Sequence, residues 1–200
     1  MWEALLSLAF FGSLRCAEYT PSPSNPSGPS IGDVCFEHSG KIMLFNVAKS
    51  KTQLHGFQCS LACSGHEICA RCRMVTYLGA QIRSPGVTAQ SPLFVYKGTQ
   101  VTAKMVNKFV KSIAHSLGWN QQAYSAHSIR AGAATTAALA GFNQWEIKSL
   151  GGWGSTAYTG YIRGIKSHTS KFPRRLTRDT ASNGPSFGRA VSGPLSLNLA

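Results

Sequence analysis

His127 and Arg130 lie three residues apart at the start of an alanine-rich segment, 127–140, that the sequence predicts to be helical. Residues at this spacing share one face of a helix, so an imidazole and a guanidinium can approach the same phosphate. Tyr161 follows later, in the phrase Gly-Tyr-Ile-Arg, and Tyr158 precedes it by about one helical turn. A tyrosine delivered to that phosphate can act as a nucleophile, and a covalent phosphotyrosine intermediate requires no metal ion. The spacing therefore predicts chemistry on a phosphodiester.

In-line attack on a phosphodiester places negative charge on two non-bridging oxygens. Two arginines neutralise such a pair well, because guanidinium groups form charge-assisted and often bidentate hydrogen bonds. Arg130 is one candidate for this role. The leaving oxygen must also receive a proton, so a complete site needs a general acid as well.

The stretch 126–163 carries the most specific pattern, AHSIRAGAATTAALAGFNQWEIKSLGGWGSTAYTGYIR. It resembles the carboxy-terminal signature of the tyrosine recombinases, the phage-integrase family. The phrases AGAATTAALAG and GYIR are most similar to the recombinases of DIRS-like and Crypton-like mobile elements. The resemblance implies an α+β, mainly helical fold with a small antiparallel sheet, like the catalytic domain of tyrosine recombinases, over residues 1–172. It also implies that the amino-terminal domain that clamps DNA in this family is missing, so that the chain is truncated at its amino terminus.

The resemblance also assigns roles to individual residues. The phrase FFGSLRCAEYT matches the family motif for the first arginine, which implies that Arg15 binds the phosphate and that Glu18 orients the site. In this family a lysine on the turn between two strands acts as the general acid. The resemblance implies this role for Lys51, and Lys49 is close enough to be confused with it. The remaining implied catalytic residues are His127, Arg130, Trp153 and Tyr161. Two alternatives stay open: Gly152 could occupy the position given to Trp153, and Tyr158 could replace Tyr161.

The function that the resemblance implies is DNA breaking and rejoining through a 3′-phosphotyrosyl intermediate, in site-specific recombination or integration. The expected partner is double-stranded DNA, with the chain acting as a homo-oligomer on it. No cofactor, metal ion, small-molecule substrate or membrane is expected. The expected location is the nucleus in a eukaryote, or otherwise the cytoplasm and nucleoid. A catalytically inactive DNA-binding remnant of a mobile element is the main alternative, and a type IB topoisomerase is another.

The charge balance points to the same kind of partner. The 200 residues include 20 Lys and Arg against 7 Asp and Glu, for a net charge of +13. Such an excess most often marks a protein that binds a polyanion, and nucleic acid is the usual one. The scarce carboxylates form no convincing cluster along the chain, which disfavours a two-metal nuclease because that chemistry needs several of them.

The cysteines raise a second possibility. Four of them lie close together along the chain, Cys59, Cys63, Cys69 and Cys72, with His55 and His66 nearby. Their intervals do not match the usual paired knuckles of zinc sites. The sequence therefore favours reduced, packed thiols in an intracellular protein over a zinc site.

The elements that must position these residues can be predicted from periodicity and turn residues. An apolar helix is expected over 2–14; a signal peptide is the alternative there, but the segment has no basic start and contains Glu3. Strands are expected at 34–36, 42–47 and 57–62, with an extended piece at 93–96. Further helices are expected at 67–81, 102–117, 127–140 and 143–150, with another helical segment around Tyr158 and Ile165. The tail 173–200 lacks periodicity and is expected to be disordered and basic.

Overall fold

The computed structural model describes residues 1–48, 55–153, 156–160 and 162 of the chain. The described residues form six α-helices: α1 (Trp2–Phe11), α2 (Cys16–Tyr19), α3 (Ala70–Gln81), α4 (Ala103–Ser116), α5 (Ala126–Leu139) and α6 (Gln144–Gly151). They form five strands: β1 (Val34–Glu37), β2 (Ile42–Val47), β3 (Phe57–Ala62), β4 (Val95–Tyr96) and β5 (Thr99–Gln100). Short 3₁₀ segments occur at Ile31–Asp33, Gln121–Ala123 and Thr156–Gly160.

The three longer strands make one antiparallel sheet in the order β1-β2-β3, and β4 pairs with β5 as a separate small hairpin. Val34 lies opposite Phe45, and Val47 lies opposite Phe57. Met43 and Phe45, at alternate positions on one face of β2, are fully buried in the main core. Leu44, between them on the opposite face, is also buried.

Helix α1 lies in the main core. Leu5 and Leu8 are fully buried, and the helix packs against α3 and α5. Met74 of α3 and Val106 of α4 are buried in the same apolar cluster. These contacts agree with a core helix near the amino terminus. Within the part of the chain that the structure describes, no helix is long and apolar enough to cross a membrane.

The boundaries differ from the sequence-based prediction where glycine and left-handed residues intervene. Helix α1 ends at Phe11 rather than near Leu14, because Gly12 caps it and Ser13 adopts a left-handed φ of 46°. The chain then starts the separate short helix α2, which the sequence did not distinguish. Helix α3 begins at Ala70 rather than Glu67, and the described residues around Tyr158 are 3₁₀ rather than α-helical. The predicted tail 173–200 lies outside the described residues.

Helices α5 and α6 form a smaller apolar cluster around Ala134, Ala137 and Ile147. The small alanine side chains let α6 approach α5 closely. The predicted capping box of α6 is present: the Asn143 side chain accepts from the backbone N–H of Glu146 at 3.0 Å, and the Glu146 carboxylate accepts from the Asn143 N–H at 2.7 Å. These caps fix where α6 starts.

Candidate active site

The turn after α1 leads into an ion pair between a partly exposed arginine and a buried carboxylate. Arg15 stands at the start of α2, and its backbone N–H donates to Glu18 Oε2 at 2.7 Å. Its guanidinium Nη1 donates to Glu18 Oε1 at 2.9 Å. Glu18 is only 4% exposed, so its carboxylate is held by these contacts rather than by bulk water. Arg15 thus has a fixed position relative to α2.

Arg130 is the centre of the site. It projects from α5 and is 1% exposed. Its Nη1 donates to the carbonyl oxygen of Ser13, and its Nη2 donates to the carbonyl oxygen of Gly151 at 2.7 Å. The same Nη1 lies 3.9 Å from Glu18 Oε2. One guanidinium therefore ties the turn after α1 to the end of α6.

Trp153 completes this cluster. The Arg130 guanidinium carbon lies 4.0 Å from the centre of the Trp153 ring, which is the geometry of a cation–π contact. Trp153 is buried, and a β-carbon added to Gly151 would lie 1.9 Å from the indole ring. Only glycine at position 151 leaves room for this ring position. Gly152 provides the left-handed turn, with φ of 60°, that ends α6.

That arrangement bears on the two alternatives that the sequence left open. Of Gly152 and Trp153, only Trp153 has a side chain to place against Arg130. Tyr158 is buried, and its ring centre lies 6.3 Å from that of Trp153. Tyr158 therefore packs beside the cluster.

His127 lies in the first turn of α5, one turn before Arg130, and it is exposed. The structure thus brings Arg15, Arg130 and Trp153 together and places His127 on the same helix as Arg130. Lys51, its neighbour Lys49, and Tyr161 lie outside the described residues. Their roles stay predictions.

The cluster combines charges of both signs. Arg15 and Arg130 supply two positive charges, and Glu18, which contacts both, supplies one negative charge. Glu18 and Arg130 are buried, and charges interact more strongly there than in bulk water because the effective dielectric constant is low.

Sequence reasoning did not single out two polar groups next to this cluster. Ser13 Oγ and Tyr19 Oη are buried and have no hydrogen-bond partner among the described residues. Burial, followed by the nearby Cys16 and Glu18, raises the pKa of the Tyr19 phenol above its ordinary value. Tyr19 is therefore neutral at physiological pH. No motif marks either residue, because their positions follow from how α1 and α2 pack.

The cysteines separate into two environments. Cys59 is buried in the main core, and burial raises its pKa to about 12, with a further contribution from Glu18. Cys63, Cys69 and Cys72 instead converge, with all three sulfur atoms within 4.8 Å of one another. Burial opposes ionisation of Cys69, but N–H groups of Cys72 and Ser64 donate to its sulfur and lower its pKa to about 6. The four-cysteine group considered from the sequence is thus a group of three.

Comparison with solved structures identifies the fold. The XerA recombinase matches with a TM-score of 0.63 at 17% identity, covering 86% of this chain and 57% of that one. The XerH site-specific recombinase bound to palindromic difH substrate, in a post-cleavage complex, matches with a TM-score of 0.59 at 17% identity, covering 86% and 45%. A Tn1549 transposon integrase in complex with a circular intermediate DNA matches with a TM-score of 0.53 at 12% identity, covering 86% and 57%.

This chain has the fold of the tyrosine recombinases. The predicted α+β, mainly helical architecture with a small antiparallel sheet is therefore confirmed. The chain spans about half the length of these recombinases. No family model matches the sequence. No curated protein matches it either.

Proposed function

We propose that this chain is the catalytic domain of a tyrosine recombinase, related to those of DIRS-like or Crypton-like mobile elements, that breaks and rejoins double-stranded DNA. The observation that carries the proposal is the setting of Arg130. Its guanidinium is buried, held by two backbone carbonyls, stacked on Trp153, and joined to Arg15 through Glu18.

That setting suits a phosphate in the transition state of attack. Catalysis by preorganised charge is strongest where the groups are already fixed and dry, so that they need not reorganise during the reaction. Arg130 meets both conditions, since two carbonyl bonds fix it and it is 1% exposed. Arg15, which is partly exposed, supplies the second guanidinium for the second non-bridging oxygen.

In the proposed step, Tyr161 Oη attacks the scissile phosphorus and its proton passes to His127. The bond from phosphorus to the tyrosine oxygen forms, and the bond to the 5′ oxygen breaks. Lys51 gives its proton to that departing oxygen, leaving a free 5′ hydroxyl and a 3′-phosphotyrosyl bond. A second 5′ hydroxyl reverses the step on a new strand, so the ester bond is conserved and no nucleotide is consumed.

The same proposal gives the partner and the setting. Duplex DNA is the substrate, and strand exchange requires at least two copies of the chain on it. The excess of 20 basic over 7 acidic residues supports this, because neutralising phosphates releases counterions. We place the reaction in the nucleus of a eukaryote, or otherwise on the nucleoid.

The test is a covalent adduct with DNA. The chain is incubated with nicked suicide duplexes of randomised sequence, from which the cleaved strand diffuses away, and adducts that survive denaturation are counted. We expect an adduct with the unaltered chain and none with Tyr161→Phe. Tyr158→Phe is the matched control: it keeps the buried ring beside Trp153 and should leave the adduct in place.

Three other outcomes would change the assignment of the nucleophile or of the function. An adduct that persists in Tyr161→Phe would remove Tyr161 as the nucleophile. DNA binding without any adduct would indicate the inactive remnant. Adducts accompanied by relaxation of supercoiled plasmid, with no exchanged strands, would indicate a type IB topoisomerase.

A further inference from the structure

Three thiols lie close together between the end of strand β3 and the first turn of helix α3. Cys63 directly follows β3, Cys69 caps the start of α3, and Cys72 lies in the first turn of that helix. The sulfur atoms of Cys63 and Cys72 are 3.4 Å apart, and all three sulfurs lie within 4.8 Å of one another. None of the three belongs to the cluster around Arg130.

We propose that Cys63, Cys69 and Cys72 bind one zinc ion as thiolates. Zinc–sulfur bonds are about 2.3 Å long, so two sulfurs in a tetrahedral site lie about 3.8 Å apart. The observed separations, from 3.4 Å to no more than 4.8 Å, bracket that value. Three sulfurs at this spacing need shifts of well under 1 Å each to meet one ion, and the fourth position is left to water.

The surroundings stabilise negative charge on the sulfurs. The Ser64 N–H donates to Cys69 Sγ at 3.4 Å, and Arg71 Nη1 donates to Cys72 Sγ at 3.9 Å. Three thiolates around a divalent zinc leave one net negative charge, which the Arg71 guanidinium offsets. Hydrogen bonds to ligand atoms are what orients them and tunes the affinity of a metal site.

The ligands are also anchored from outside the loop. Arg71 Nε donates to the carbonyl oxygen of Gly40 at 2.5 Å, and the Cys63 N–H donates to that of Lys41 at 2.9 Å. Both acceptors lie in the turn between β1 and β2. A zinc ion here would therefore join the end of β3 and that turn to the start of α3. Arg73, one residue beyond Cys72, continues the connection to α1 by an ion pair with Glu3 at 2.8 Å.

The position of the three cysteines indicates that a bound zinc ion would stabilise the fold. The segment 64–68 contains no helix or strand and is exposed throughout. An ion that binds only the folded arrangement raises the stability of that arrangement by mass action. We therefore expect zinc to raise the unfolding temperature even when no DNA is present.

The experiment uses the full chain, kept reduced and freed of metal by a chelator. Zinc ion alone is titrated in competition with a chromophoric chelator, and cobalt ion is titrated to reveal thiolate-to-metal charge-transfer absorption. We expect one ion per chain, a dissociation constant on the order of 10⁻⁸ M, and the thiolate absorption. Cys63→Ser and Cys72→Ser should each weaken binding by roughly 100-fold or more. Cys35→Ser, which changes an exposed cysteine elsewhere, should not.

Several results would overturn the proposal. Less than one ion per reduced chain would do so, as would equal weakening by Cys35→Ser, which would show adventitious binding. A Cys63–Cys72 disulfide in the purified chain, with no zinc bound after reduction, would assign the pair to redox chemistry instead. His66→Ala should leave binding within about threefold, so a loss like that of Cys72→Ser would refute the assignment of three protein ligands. Spectra of the unaltered chain decide the matter even if a serine variant fails to fold.

Discussion

Replacing Gly151 with alanine tests the geometry on which the candidate site depends. The added β-carbon would lie 1.9 Å from the Trp153 ring, whereas carbon atoms in contact normally stay about 3.5–4.0 Å apart. The ring must therefore move by roughly 2 Å, away from its position over Arg130. Alanine in place of a helical glycine contributes about 1 kcal/mol of helix preference, but overpacking of this kind costs typically 1–3 kcal/mol and sometimes more.

We expect a net loss of about 2 kcal/mol in the free energy of unfolding, because the closest contact is with a ring that is itself buried. For a chain of this size, that corresponds to a fall of about 4–8 °C in the unfolding temperature. Urea unfolding and thermal melts measure the loss. Adduct formation with suicide DNA should fall further than the lost stability explains, since the carbonyl of Gly151 also holds Arg130.

Gly79→Ala is the matched control. Gly79 lies inside α3, and apart from its chain neighbours and the backbone of its own helix no described atom lies within 4 Å of the β-carbon that the substitution would add. This change should raise stability by up to about 1 kcal/mol. A cycle with Trp153→Ala isolates the contact: without the indole, Gly151→Ala should raise stability by about 1 kcal/mol, which gives a coupling of about 3 kcal/mol. If Gly151→Ala proves as stable as Gly79→Ala, the ring does not lie against Gly151 and the reasoning fails.

Three more predictions concern charge and titration. Arg130→Lys should lower the rate of adduct formation by roughly 10²–10³-fold, because one ammonium cannot span both carbonyls; a rate within threefold of the unaltered chain would contradict this. Binding of the 200-residue chain to duplex DNA should weaken steeply with salt, and dissociation constants on the order of 10⁻⁴ to 10⁻⁶ M are expected at physiological salt, nearly independent of sequence. Tight binding to one duplex in preference to scrambled duplexes would contradict this prediction. Folding raises the pKa of Cys59 from about 9 to about 12, so its contribution to stability is full below pH 9 and is lost as pH rises toward 12. Cys59→Ala should flatten that alkaline decline in urea unfolding, and Cys35→Ala should not.

The elements with strong periodicity could be predicted from the sequence, and the contacts between distant segments could not. Strands β2 and β3 and the capping box at Asn143 lie where local patterns place them. The burial of Arg130 follows from the packing of α1 against α5, to which local sequence gives no guide.

The cysteines show the same limit. Cys59 and Cys63 are four residues apart, yet Cys59 is buried in the core and Cys63 is exposed just beyond the end of β3. Their close spacing along the chain suggested one group of cysteines. Strand β3 instead places Cys59 in the core and leaves Cys63 at the surface. Glu18 shows the opposite case, because its ion pair with Arg15 joins residues only three apart in the chain and is a local contact.

The bond from Arg130 to the Ser13 carbonyl has a consequence for how the protein is made. Its two ends are 117 residues apart in the chain. Closing so long a loop costs entropy that the docking of α1 against α5 must help to offset, so we expect this contact to form late in folding. During synthesis, Arg15 and its partner Glu18 emerge from the ribosome long before Arg130. Under the proposed function, a chain in which this contact has not formed would lack the fixed, buried guanidinium that holds the phosphate. Strand cleavage would then be restricted to chains in which Ser13 and Arg130 have already met.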